Sequence, residues 1–382
     1  MKTGWMAVGR GLLVFLLLAA SRSALGYSNF IAFGYRSCQT CHYNPNGNGP
    51  LTDYGRALFA THVAAPPFFA SDTTDETLGE TSGFLGATKL PKWFRPSASV
   101  RGIAFASDLN HTAQTRFLLM KADATVVLRS DAKSRVFAVG TFGYVRDPRG
   151  KNFISREHYA AVRPWKDWLV QAGMMDTAYG LRVPDHRAFS RLKTNLAQSD
   201  QTHAILGNYA GKAFETSVQA FAGNLFQAPA VRLRGVAATY EYGLSQSAGL
   251  GGSFLHAWND FRKRTLAGVH ARTAAFEGGS LIGELGLIWD SPKQFDKTMG
   301  IYLYTQGMYP LSRGIYLITG LEYYSLQAFA PAARQVRLTP GIQWFPFQRL
   351  EIRSDLEVQY QTGGGAPDTV QVNWNGQAHV AL

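Results

Sequence analysis

From Ser97 to Leu382 the chain alternates apolar and polar residues in run after run, and this period of two restricts it to β-structure. Between Arg349 and Tyr360, the residues Leu350, Ile352, Leu356, Val358 and Tyr360 share one parity, broken only by Ser354. Arg349, Glu351, Arg353, Asp355, Glu357 and Gln359 share the other. Successive side chains of a strand point to opposite faces, so one face here is apolar and the other charged. The preceding run repeats this, with Val336, Leu338, Pro340, Ile342 and Trp344 set against Gln335, Arg337, Thr339, Gly341 and Gln343. Further runs cover 98–108, 118–129, 134–146, 153–163, 167–175, 201–210, 213–224 and 230–242. Others follow at 247–257, 264–276, 279–289, 299–308, 313–324 and 368–381. With 177–183 included, the count is about 16 strands, the size of barrels with an aqueous lumen.

A soluble sandwich also alternates, but its strands centre on about five or six residues. Many runs here reach ten or more, and only two cysteines are present to staple an exported sandwich. Aromatic residues stand near run ends, as in interfacial girdles: Tyr144, Trp165, Trp168, Tyr240, Tyr242, Trp289, Tyr302, Tyr304, Tyr323, Tyr324, Trp344 and Trp374. The expected fold is all-β, a transmembrane antiparallel barrel over 97–382. On this parity Leu356 faces lipid, and Glu357 faces a water-filled lumen where a change of charge is tolerated. Arg163 to Lys166, Tyr309 to Ser312 and Phe345 to Gln348 read as short hairpin connections of periplasmic type. The longest interruption, Val183 to Asp200, reads as a folded loop or constriction, with a helical turn over 189–196.

Met1 to Gly26 has the form of a cleaved secretory signal. Lys2 and Arg10 form a basic region, an apolar run follows from Gly11 to Ala20, and Ala24-Leu25-Gly26 is a small-residue cleavage site before Tyr27. That run is half the length of about 20 residues that a spanning helix needs.

The two cysteines form Cys38-Gln39-Thr40-Cys41-His42, a C-x-x-C-H motif. Such a motif attaches a c-type haem: both thiols add across vinyl groups, and the adjacent imidazole ligates the iron. Cys38 and Cys41 are therefore the expected covalent attachment points of one haem c, and His42 its proximal ligand. The competing reading, a thioredoxin-type dithiol, belongs to a strand–helix junction in a β-α-β unit that is not seen here. The haem segment spans 27–66. Asn44 to Pro50 is a turn, and Thr52 or Asp53 would cap a short helix from Tyr54 to His62. So small a segment cannot enclose a porphyrin, so the haem must lean on the barrel. Residues 67–96, acidic and rich in Ser and Thr, read as a solvated linker, with Trp93 and Phe94 at the membrane interface.

The tract from Cys41-His42-Tyr43-Asn44-Pro45 through Tyr54-Gly55-Arg56 resembles the N-terminal segment of a family of bacterial outer-membrane barrel proteins. These carry a single haem motif, C-x-x-C-H-x-N-P-x-G, followed by Y-G-R, and are loosely related to porin–cytochrome electron-transfer systems. Leu181 to His186 is similar to the same barrels. The resemblance implies a role in electron transfer at or across the outer membrane, with the haem segment periplasmic or in the lumen.

The sixth iron position decides between electron transfer and small-molecule chemistry. His62, in the same segment, is the first candidate, and His186, in the long loop, the alternative. His111, His158, His203, His256, His270, His379, Met174 and Met175 complete the set. Formal net charge is +12, but the Lys and Arg residues are interleaved with Asp and Glu at strand parity. This fits a charged lumen and anionic lipid headgroups, not nucleic acid. No phosphate-cradling, zinc-hydrolase or nucleophile-elbow motif is present, so no enzyme is expected from motifs. Outer-membrane lipid and periplasmic or extracellular cytochromes are the expected partners. Two other functions remain open: a substrate-specific porin with a structural or redox-gated haem plug, and a haem enzyme or gas sensor.

Overall fold

A computed structural model describes residues 30, 32–47, 49–70, 72–144, 153–183, 185, 187–196, 200–276, 278–329, 333–363 and 367–382. The secretory signal and His186 lie outside the described residues. The strands are β1 (Phe94–Ser107), β2 (Gln114–Arg129), β3 (Val136–Tyr144), β4 (Phe153–Val162), β5 (Trp168–Met175) and β6 (Thr202–Ala210). They continue as β7 (Phe214–Phe221), β8 (Arg234–Ser245), β9 (Ala248–Trp258), β10 (Arg262–Phe276) and β11 (Gly279–Pro292). The last are β12 (Thr298–Ser312), β13 (Ile315–Ser325), β14 (Arg334–Phe347), β15 (Leu350–Thr362) and β16 (Thr369–Ala381). Each pairs with its neighbour in the chain, and β16 closes on β1 from Ser99↔Ala381 to Ala106↔Trp374, giving a closed antiparallel barrel of 16 strands.

The polarity is inside out relative to a soluble protein. In β15, Asp355 is 1% exposed and Glu357 6%, while Leu356 between them is 41% exposed. Exposed Phe117, Phe142, Ile205, Val218 and Val269 continue the apolar exterior, which suits a hydrocarbon solvent. Trp165, Trp168, Tyr240 and Tyr242 point outward as the girdle reading expects. Tyr302 and Tyr304 do not: both are buried in the lumen, where the Tyr302 hydroxyl bonds Glu284 and, at 3.1 Å, Tyr179. Of the three expected short turns, Arg163 to Lys166 does join β4 to β5, and the other two are displaced. Pro310 and Pro346 lie inside β12 and β14, at register breaks between Pro310 and Ser312 and between Trp344 and Phe347. A bulge tolerates a residue without an N–H, so the prolines mark irregular strand ends and the reversals follow at Arg313-Gly314 and Gln348-Arg349.

Two pieces of chain fill the lumen. The first is the N-terminal plug: α1 (Cys38–Cys41), α2 (Asp53–Leu58) with a π-helical turn Phe59–Val63, and α3 (Asp75–Glu80). Thr52 caps α2, its Oγ1 accepting the Gly55 N–H at 3.0 Å. The plug is held at the short-turn end of the barrel. Arg313 donates to the Ala60 and Ala64 carbonyls at 2.9 and 2.8 Å, and Arg36 donates to Lys212 O at 2.8 Å. The stretch 67–96 is solvated only in part: Phe68, Phe69 and Trp93 are exposed, but α3 buries Leu78, and Arg349 grips the Thr81 and Gly83 carbonyls at 2.9 and 2.8 Å.

The second piece is the β5–β6 connection, which includes α4 (Phe189–Leu192). Residues 177–183 are not a strand. Their N–H groups are taken by side chains of the wall, Ala178 N to Gln219 Oε1 at 2.8 Å and Leu181 N to Glu284 Oε2 at 2.6 Å. Once lumen side chains satisfy the backbone, no ladder partner is needed, and the segment turns inward.

Candidate functional site

The C-x-x-C-H motif lies inside the barrel. α1 is a single turn ending where His42 becomes extended, its N–H donating to Cys38 O at 2.9 Å. A small hairpin follows, with His42 bridged to Leu51, and its reversal uses left-handed Gly47 (φ 81°) and Gly49 (φ 74°). Thr52 N donates to Cys41 O at 2.8 Å. The glycine of Tyr54-Gly55-Arg56 has a steric reason: a Cβ at Gly55 would collide with the Cys41 carbonyl. Gly47 keeps space for the other thiol, since a Cβ there would come within 2.9 Å of Cys38 Sγ.

Three anchors fix the motif to the wall. Gln39 Nε2 donates to Asn208, and Arg163 donates to Gln39 Oε1 at 2.5 Å. Tyr43 is buried against Phe137, ring centroids 5.3 Å apart. Asp53 pairs with Arg95 at 2.7 Å and Arg129 at 2.9 Å.

Both thiols are free, and Cys41 is 4% exposed. Burial pushes Cys38 up to about 11, against the lowering influence of Arg272, and pushes Cys41 up to about 12. A redox-active dithiol needs the opposite, a thiol whose pKa is lowered.

Two cavities border the motif. One of about 120 Å³ is lined by Cys38, Cys41 and His42 from the plug and by Glu241, His270 and Arg272 from the wall. A larger one of about 430 Å³ is lined by His42, Arg101, Lys121, Arg182, Glu351 and His379, among others. That volume lies in the range of about 300–1,000 Å³ for cofactor sites. These residues fit a c-type haem. Two reduced thiols share one helical turn, the adjacent imidazole borders both cavities, glycine leaves room at the thiol, and cations suited to propionates line the larger space. Cys38, Cys41 and His42 would hold the group.

Of the two distal ligands singled out from sequence, His62 is not brought to this place, and His186 lies outside the described residues. His62 is exposed, its Nδ1 2.7 Å from Thr61 Oγ1 and its ring against Phe33 at 5.5 Å, and it borders neither cavity. His111 lies in an exposed loop beside Asp108. His158 and His203 stack on each other at 5.2 Å, and His256 bonds Thr265 on β10. Among the described residues, the histidines bordering the cavities are His42, His270 and His379. Sequence reading placed His270 and His379 in a wide field; inward parity on β10 and β16 was the signal that could have narrowed it.

No protein-family profile matches the chain, and a search of characterised proteins finds no relative. In structure the chain is similar to a loop-deletion mutant of OmpT, an outer membrane protein of Vibrio cholerae, with TM-score 0.61 and 9% identity over 76% of this chain and 99% of that one. It is also similar to an anion-selective porin from Comamonas acidovorans, with TM-score 0.59 and 10% identity over 76% of this chain and 100% of that one. The outer membrane channel DcaP of Acinetobacter baumannii aligns with TM-score 0.57 and 9% identity over 76% and 97%. At such identities the likeness is one of fold.

Proposed function

We propose that this porin-like barrel sits in the outer membrane and carries one covalent haem c, held by Cys38 and Cys41 with His42 as proximal ligand, for electron transfer. The observation that carries the reading is the placement of the motif: a turn bearing both thiols and the imidazole is locked inside the lumen, beside two cavities that His42 borders. When bound, the haem would exchange single electrons. The chain's own residues orient it and shield it. Gln39, Tyr43 and Asp53 fix the plug to the wall, and the inward loop contributes Leu181 and Arg182 to the lining of the smaller cavity.

The short turns of such barrels are periplasmic, which puts the plug on the side that periplasmic cytochromes can reach. One haem does not bridge an apolar band about 25 Å tall, so a current across the membrane needs partner cytochromes. The apolar exterior is the lipid contact. The interior charges are spoken for by ion pairs such as Arg337 with Glu322 at 2.5 Å and Arg272 with Glu241 at 2.6 Å, an arrangement unlike a nucleic-acid footprint.

The test is a haem stain on a denaturing gel, using protein made with cytochrome c maturation factors. Wild type should stain, and the Cys38→Ala/Cys41→Ala double variant should not. Stain that survives both changes overturns the attachment. Film voltammetry of the wild type should then show one reversible one-electron couple. The 16-strand architecture favours a second reading, a porin gated by its haem segment, and planar-bilayer conductance separates the two.

A further inference from the structure

Resting on haem attachment as proposed above, we infer that His270 is the distal iron ligand, supplied by the barrel wall and oriented by Glu241. His270 is an inward-facing residue of β10, 5% exposed, opposite Gly251 on β9 and Glu284 on β11. Its side chain borders the cavity that Cys38, Cys41 and His42 border from the plug. A haem held by those thiols and His42 would have this wall beside it, His42 and Gly47 bordering both this cavity and the larger one.

The state of the imidazole is what a ligand requires. Nε2 stands 3.5 Å from the Glu241 carboxylate, which is itself held by two 2.6 Å bonds from Arg272. Nδ1 is buried and has no hydrogen-bond partner among the described residues. Leaving a ring nitrogen dry and unpaired is unfavourable unless something else binds it. A carboxylate on one nitrogen and a metal on the other is the common arrangement of metal-binding histidines. Gly251 supports the placement, since a Cβ there would strike the imidazole.

Neither competing histidine joins this state to a place beside the thiols. His62 is exposed and outside the cavities. His379 has the same state, with Nδ1 3.0 Å from Glu351 and Nε2 buried without a hydrogen-bond partner among the described residues, but it borders the larger cavity, which neither thiol borders.

The experiment compares full-length, haem-loaded wild type with His270→Ala, His270→Met, His62→Ala and His379→Ala, by absorption and electron paramagnetic resonance, with carbon monoxide added to the reduced forms. Wild type should be low-spin and should not bind carbon monoxide. His270→Ala should become high-spin and bind carbon monoxide while keeping its haem stain, and added imidazole should restore the low-spin spectrum. His270→Met should stay six-coordinate with a raised midpoint potential, as thioether ligation gives. His62→Ala and His379→Ala should behave as wild type. A high-spin wild type, or a low-spin spectrum in His270→Ala, overturns the inference and leaves attachment standing. Wild type without covalent haem overturns both. If His270→Ala does not assemble, His270→Met decides alone: an unchanged spectrum and potential count against His270.

Discussion

Asp53 of the plug and Arg129 of β2 form a 2.9 Å ion pair, and the same carboxylate meets Arg95 of β1 at 2.7 Å. One short acidic side chain thus ties the plug to β1, which closes the barrel on β16, and to its neighbour β2. Burial opposes ionisation of this carboxyl, but the Arg95 hydrogen bond and the Arg129 charge outweigh it and hold the group down at about 2. A native pKa below the unfolded value of about 3.9 stabilises above that value, and the stabilisation is lost as pH falls through the native one. Plug docking should therefore be constant from neutral pH to about 4 and weaken between about 4 and 2. Asp53→Asn should remove that acid step, as read by proteolysis of the plug across pH. An acid step that persists unchanged in the variant would assign it to other groups.

Gly55→Ala should disrupt the haem segment, although alanine favours a helix over glycine by about 0.5–1 kcal/mol. The added Cβ meets the Cys41 carbonyl, which is already bonded to Thr52 N at 2.8 Å. Gly79→Ala in α3 is the control. Its Cβ would find only ordinary contacts, 3.7 Å from Thr61 and 3.9 Å from Ala57. That change should be neutral or stabilising by about 0.4–1 kcal/mol. Denaturant unfolding and haem yield of the two variants check the contrast.

Leu356→Arg places a charge on the exterior, at a cost of about 2–4 kcal/mol near mid-membrane. Parity alone reads the next residue, Glu357, as free to change. The structure revises that expectation, because Glu357 pairs with Arg187 at 3.3 Å and Arg337 at 3.5 Å and accepts from Asn373 at 2.9 Å. Removing one partner of a buried pair costs about 3–5 kcal/mol. Glu357→Arg should therefore impair assembly about as much as Leu356→Arg, and Glu357→Gln less. Heat-modifiable mobility of the folded barrel is the readout.

Purified wild type in planar bilayers should conduct ions far below an open 16-stranded porin, because plug and inward loop share the lumen. Full porin conductance would favour the gated-porin reading over the electron-transfer one.

Strand order, the apolar exterior and the C-x-x-C-H motif were legible in the sequence because each is a local rule. Alternation at period two needs only neighbouring residues, and Cys38, Cys41 and His42 lie within one turn. The rest depends on groups far apart in the chain. Tyr302 reads as a girdle aromatic until Glu284 and Tyr179 are seen beside it, and 177–183 reads as a strand until Gln219 and Glu284 take its N–H groups. His62 reads as the first distal candidate because it is close to the motif in sequence. Closure of the barrel instead brings His270, more than 200 residues beyond the motif, to the same enclosure. Which side chains share the lumen is set by strand register and by what fills the centre, and neither is a property of any short stretch.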